Sequence, residues 1–162
     1  MAFATMSGPL RTGTVKEGAG ENTGVVTLAR TTAITFGAMT TSPTAQQICT
    51  LPAGTKIIRF VVEVITAISG GSVTNVGVTI GDSGTANKYV TTFNTGLTSA
   101  RVTQATVDAA QVVAQTNNLG TADVAIFGTF TAAGGNPTAG QIAITIAYMQ
   151  RAADGAQVPA SA

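Results

Sequence analysis

The residues able to do chemistry are few, and those that are missing set the limits. The 162-residue chain has no histidine and one cysteine, Cys49. Without imidazole the commonest general base and metal ligand is lost, so Ser-His-Asp and Cys-His catalysis are both excluded. A lone cysteine can form neither an intrachain disulfide nor a thiolate zinc site. Beside Ile48 and near Leu51, Cys49 reads as a small buried residue rather than a reactive thiol.

What remains is oxygen chemistry. Gly81-Asp82-Ser83-Gly84 holds a serine in the setting of a nucleophile loop, but no base exists to take its proton. The same four residues are turn formers that follow a strand, and a turn is the expected reading. The carboxylates are Glu17, Glu21, Glu63, Asp82, Asp108, Asp123 and Asp154. Glycoside cleavage needs two of them facing one bond. Glu63 and Asp123 could meet only if their strands were neighbours; otherwise Glu63 is expected to pair with Arg59 or Lys56, or to face solvent. Asp82, Asn87 and Asn94 could offer oxygens to calcium, yet the acidic spacing of a dedicated loop is missing. No glycine stands in a GxxxxGK[ST] or strand-to-helix GxGxxG setting. The residues therefore imply no enzyme, no cofactor and no resident metal.

Sugar-binding sandwiches present aromatic platforms, and this chain has no tryptophan and two tyrosines, Tyr89 and Tyr148. Tyr148 alternates with isoleucines and reads as core. Tyr89, in NKYVTTF, reads as exposed and keeps a carbohydrate-binding module among the alternatives.

Eight basic residues against seven acidic leave a net charge of +1, which offers no electrostatic footprint for nucleic acid or an anionic membrane. Charged residues make up 9% of the chain and hydrophobic ones 44%, whereas an ordinary domain carries about 25% charged residues. Much of the surface must be neutral, and a neutral surface can be covered by a partner without burying unpaired charge. An assembling protein is expected, with a homo-oligomer as one form of it. The amino terminus lacks a basic segment leading into a long apolar one, so no secretory signal is expected. The longest apolar run, Ile57 to Ile68, is interrupted by Glu63 and falls short of a membrane helix.

Threonine occurs 29 times and, with Ala, Gly and Val, suits pleated strands and tight turns. Residues 1–23 are rich in glycine and scattered charge without a sustained period, and read as an extended N-terminal arm able to order on a neighbouring subunit. Residues 24–150 read as the folded domain, and 151–162 as a mobile tail. In the domain, GVVTLARTTAITFGAM supplies one or two strands with Val26, Leu28, Ile34 and Phe36 on one parity. A short strand over 45–51 follows, with Pro52 and Gly54 at its corner. From Lys56 to Thr66 the parity of Ile58, Phe60, Val62 and Val64 predicts a buried face. The opposite parity, half apolar through Ile57, Val61 and Ile65, is expected to lie under another sheet, arm or subunit. Across Ser69-Gly70-Gly71-Ser72 this strand is expected to form a long antiparallel hairpin with Val76–Ile80. A second hairpin is expected between 121–132 and 141–149, with Ile142, Ile144, Ile146 and Tyr148 facing Val124, Ile126 and Phe130. A short strand is expected at 88–93. Over 99–115 helix and strand compete, and the valines and threonines favour strand. The sum is an all-β, jelly-roll-like antiparallel β-sandwich of about eight strands.

The stretch LPAGTKIIRFVVEVITAISGG, followed by VTNVGVTIGDSGTANKYV, resembles small structural proteins of tailed bacteriophages. In these an LP-x-G corner opens a strand of alternating valines, and the closing TAGQIAITIAY is similar to their last strand. The resemblance covers residues 45–93 and 121–149. It implies a capsid decoration (cement) protein made in the host cytoplasm, carried on the capsid exterior and bound to the major capsid protein at capsomer junctions. Candidate capsid contacts are Phe3, Met6, Leu10 and Arg11 in the arm. A tail, neck or fibre subunit shares this composition and is the nearest alternative.

Overall fold

The computed structural model describes residues 26–98, 102–104, 109–117 and 119–150. The β-branched runs form eight strands: β1 (Val26–Thr35), β2 (Gln46–Leu51), β3 (Lys56–Ser69), β4 (Asn75–Gly81), β5 (Val90–Asn94), β6 (Val102–Gln104), β7 (Val124–Ala133) and β8 (Ala139–Gln150). They make two four-stranded antiparallel sheets, ordered β1-β8-β3-β6 and β2-β7-β4-β5. The pairs β1 with β8, β2 with β7, β3 with β6 and β4 with β5 nest as rungs of one long ribbon. Folding that ribbon across its middle brings β3 beside β8 and β4 beside β7, which is jelly-roll connectivity. The all-β, jelly-roll-like expectation holds.

Neither expected long hairpin exists. β3 bonds to β8 and β6, whereas β4 bonds to β7 and β5 in the other sheet. Gly70–Thr74 therefore carry the chain across the core, and residues 134–138 do the same between β7 and β8. Period-two alternation identifies the residues that face the core. It does not say whether the next strand bonds at the side or packs face to face. Among the described strands only β4 and β5 are both consecutive and paired.

Between the sheets, Phe60, Val62 and Val64 of β3 and Ile142, Ile144 and Ile146 of β8 meet Val76, Val78 and Ile80 of β4 and Ile126 and Phe130 of β7, all buried. Burying each such side chain is worth about 1.5–3 kcal/mol before the cost of ordering the chain. The parity expected of β3 fails at one end. Its register against β8 shifts between Ile57 and Arg59, so Ile57 turns inward and Ile58 becomes the extra residue of a bulge, 41% exposed. Of the residues placed on one parity with Ile34, which is buried, Leu28 and Phe36 are exposed: β1 is an edge strand, and Phe36 opens a 3₁₀ turn over Phe36–Ala38.

The strand expected over 99–115 is a correction in part. Three residues pair with β3 as β6, and α1 (Ala109–Thr116) is helical. Alanine and glutamine, both good helix formers, outweigh the two valines there. Ala114 of α1 and Leu119 beyond it pack against the core, and Gln115 donates a 2.6 Å hydrogen bond to the Tyr89 carbonyl. The helix thus lies against β3 and is tied to Tyr89, just before β5, where β6 is too short to cover the sheet.

Candidate interaction surface

Most of the described residues that could have done chemistry hold the fold together instead. Asp82 shapes the turn between β4 and β5: one carboxylate oxygen accepts the amides of Gly84 and Thr85, both at 2.9 Å, and the other accepts the Lys88 ammonium at 2.6 Å. Partial burial pushes the Asp82 carboxyl up, but the Lys88 hydrogen bond and the two amides outweigh it and leave the pKa lowered. The same hydrogen bond raises Lys88. Ser83 is an exposed turn residue, as expected. Both oxygens of Asp82 being engaged, it is not an open calcium ligand beside Asn87 and Asn94. Among the described residues no three acidic, cysteine or histidine side chains gather as a metal site.

Glu63 and Asp123 belong to different sheets and do not form a pair. Glu63 lies on β3, while Asp123 precedes β7 and accepts the Ala53 amide at 3.0 Å. Of the two outcomes expected for Glu63, pairing with Arg59 or Lys56 is not formed, since the one salt bridge among the described residues is Lys88–Asp82, and Glu63 stands half-exposed on the outer face. Cys49 is buried, as expected, and burial raises its thiol pKa while Arg30 pulls it partly back. Tyr148 is core, as expected, but the exposed Tyr89 is a correction: the side chain is fully buried, its ring stacked 6.2 Å from Phe60. Tyr89 is no platform for a sugar. Phe3, Met6, Leu10 and Arg11 lie outside the described residues, as do Glu17, Glu21, Asp108 and Asp154.

What the fold does present is broad neutral surface. On β1, β8 and β3 the residues opposite in register to the core set share the outer face: Thr27 with Met149 and Lys56, Ala29 with Ala147 and Arg59, Thr31 with Thr145 and Val61, Ala33 with Ala143 and Glu63. Thr31 and Thr145 hydroxyls hydrogen-bond at 2.8 Å, and the charges are confined to β3. The outer face of the other sheet carries Thr79 beside Thr129, Gly77 beside Thr131 and Gln47 beside Phe127. Ile58, Ile65, Val112 and Val113 are exposed apolar side chains on β3 and α1. Within the single chain, the outer parity of β3 that was expected to be covered is half-buried at Val61 and open at Ile65.

The two edges formed by β1 and β2 differ. From β1, Arg30 Nη1 donates to the Thr50 carbonyl and Thr32 Oγ1 to the Ile48 carbonyl, both at 2.8 Å, so side chains cap the edge of β2. Nothing in the pattern of β1 announced these roles beyond a single arginine in a run of Thr and Ala. Val26 pairs with Gln150, so the two ends of the described chain lie at one corner of the sandwich.

No protein-family model and no curated protein matches the sequence. Three-dimensional likeness is clear. A chain of the cyanophage Pam1 capsid asymmetric unit has a TM-score of 0.55 at 22% identity, covering 91% of this chain and 98% of that one. A chain of the Helicobacter pylori bacteriophage KHP30 acid-stable capsid gives 0.52 at 14% identity, with 78% and 90% covered. A chain of the Ralstonia phage GP4 capsid gives 0.54 at 19%, with 79% and 86% covered. At these identities the likeness is one of fold.

Proposed function

We propose that the protein is a non-enzymatic structural component of a bacteriophage virion, a capsid decoration (cement) protein that binds the major capsid protein on the outside of the head. The observation that carries this reading is the near-complete overlay of its jelly roll on a chain of a phage capsid, 91% of this chain against 98% of that one, repeated at lower coverage in two other phage capsids. The surface supports it: the outer sheet faces are largely neutral, and neutral faces suit adhesion with little desolvation cost. Val26 pairs with Gln150, so the two ends of the described chain lie together at one corner of the sandwich. Several weak contacts held on one scaffold then act together, because each later contact is intramolecular.

The test is to mix purified protein with undecorated capsids and image the particles. Density at regular capsomer junctions supports the reading, and bare capsids at saturating protein sink it. Ring or fibre assembly without capsid affinity would favour a tail, neck or fibre subunit instead.

A further inference from the structure

Among the described residues β1 is an edge strand without the usual defences of an edge. It is ten residues long, contains no proline, and pairs with β8 over ten consecutive positions without a bulge. The β2–β7, β3–β8 and β4–β5 pairings all shift register. Its one charge, Arg30, is turned away to cap β2. Among the described residues no backbone hydrogen bond reaches the outer edge of β1. A long, flat, unguarded edge is a template for another strand.

We infer that β1 is a dimerisation strand: a second copy of this chain pairs antiparallel along its outer edge, about a two-fold axis through Thr31. The strand is self-complementary in that register. With Thr31 opposite Thr31, Thr27 faces Thr35, Ala29 faces Ala33, Leu28 faces Ile34 and Arg30 faces Thr32 of the second copy. The outer-face pairs are then like on like, Arg30 meets an uncharged threonine on the other face, and the exposed Leu28 gains an apolar neighbour. Centring the axis on Arg30 would set two arginines at directly opposite positions, both drawn toward the edge of β2. Centring it on Thr32 would set Arg30 against Ile34. A one-residue slip is excluded because it would turn the core face of one copy to the solvent side of the other. Arg30 and Thr32 already close the edge of β2, so only this sheet continues between copies. The pairing requires nothing of the capsid and stands apart from the proposed function.

Sedimentation velocity on the full chain, joined to mild oxidation of two cysteine variants, tests this. Wild type sediments as a dimer. Thr31→Cys cross-links across the axis on a non-reducing gel, because a self-facing pair in an antiparallel ladder lies within disulfide reach. Ala29→Cys does not, since its copies stand about 13 Å apart along the strand, and buried Cys49 gives no background in wild type. Thr31→Lys brings two ammonium groups together and weakens the dimer about tenfold or more. Thr31 and Ala29 are exposed, so unchanged circular dichroism is expected for all three variants. A wild-type monomer at every soluble concentration overturns the inference. So does a dimer that Thr31→Lys leaves intact, or one in which Thr31→Cys cross-links no faster than Ala29→Cys.

Discussion

The carbonyl oxygen of Asn136 occupies the space in which a side chain on Gly71 would begin. These residues belong to the two connections that cross the core, and the chain crossing from β3 to β4 is pressed against the chain crossing from β7 to β8. Thr138 donates its amide to the Ser69 carbonyl and Thr74 donates to the Ala133 carbonyl, both at 2.9 Å. The arches lock because β3 pairs with β8 and β4 with β7, so their turns must lie side by side. Gly71 has φ 56° and Gly134 φ 83°, left-handed values that glycine takes without strain.

Gly71→Ala should therefore be among the most damaging conservative changes in the molecule. A β-carbon there meets backbone rather than a yielding side chain, and the expected loss is about 2–4 kcal/mol in urea unfolding. Gly37→Ala is the control: no atom lies within 4 Å of its β-carbon position, so a change within about 0.5 kcal/mol is expected. Equal midpoints for the two variants would refute the locked-arch account.

Thr32→Val tests the edge cap on β2. It keeps the shape of the side chain and removes the donor to the Ile48 carbonyl, a part-buried bond whose loss should cost about 1 kcal/mol. Arg30→Ala removes the cap on Thr50 and should cost no more than about 1 kcal/mol, because that bond is exposed to solvent. A Thr32→Val protein as stable as wild type would remove the cap from the account of the fold.

Much of this architecture was legible in the sequence, and the unread part has a physical cause. The alternation of Ile142, Ile144, Ile146 and Tyr148, and that of Phe60, Val62 and Val64, named core residues correctly because burial is local to a strand. The partners of those strands were not legible: a five-residue link such as Gly70–Thr74 can return a strand beside its predecessor or carry it to the facing sheet. Ile58 misled because a bulge changes parity without leaving a mark in the pattern. Tyr89 misled because the polar residues before it are those of the Asp82 turn, whereas its own ring is covered by Phe60 and α1 contributes Gln115 to its carbonyl. Of the surface, composition showed that it would be neutral; which edge stays open follows only from the strand order.

The Asp82 turn should give stability a specific acid dependence. Its folded pKa lies below the ordinary value of about 3.9, so the stabilisation is fully present above that value and is lost as pH falls through the depressed folded one. Asp82→Ala, which removes the acceptor for Gly84, Thr85 and Lys88, should cost about 1–2 kcal/mol at neutral pH. Thermal unfolding from pH 7 down to pH 2 should show the gap between wild type and Asp82→Asn narrowing only below about pH 4. A gap that stays constant to pH 2 would show that the charge of Asp82 contributes nothing.

Tyr89→Phe probes a buried hydroxyl. Tyr89 Oη is shielded from solvent with no partner at full hydrogen-bond distance, while the Lys88 ammonium stands 5.4 Å over the ring and, near the hydroxyl, partly offsets the rise in pKa that burial causes. Deleting a buried hydroxyl whose nearest polar neighbour is the Lys88 ammonium should change stability by no more than about 1 kcal/mol in either direction. Tyr89→Ala, in contrast, empties a core position against Phe60 and should cost about 3–5 kcal/mol. Glycan arrays should show no binding that depends on Tyr89, because the ring offers no face to a sugar. A Tyr89→Phe protein destabilised by more than about 1 kcal/mol would mean that the hydroxyl holds a partner, such as a water, that matters.

Removing residues 1–23 separates folding from adhesion. Every described strand, and every described core residue between the two sheets, lies between Val26 and Gln150. The truncated protein should keep the unfolding midpoint of the full chain. Phe3, Met6, Leu10 and Arg11 go with the deletion, so under the decoration reading its affinity for undecorated capsids should fall by at least about tenfold, the loss of roughly 1.4 kcal/mol of contact. The comparison belongs at one salt concentration, since Arg11, Lys16 and the two glutamates of the segment are also removed. Equal affinity for the two proteins would place the adhesive surface on the sandwich and end the arm's part in the proposal, whereas a lowered midpoint would show that the segment belongs to the fold.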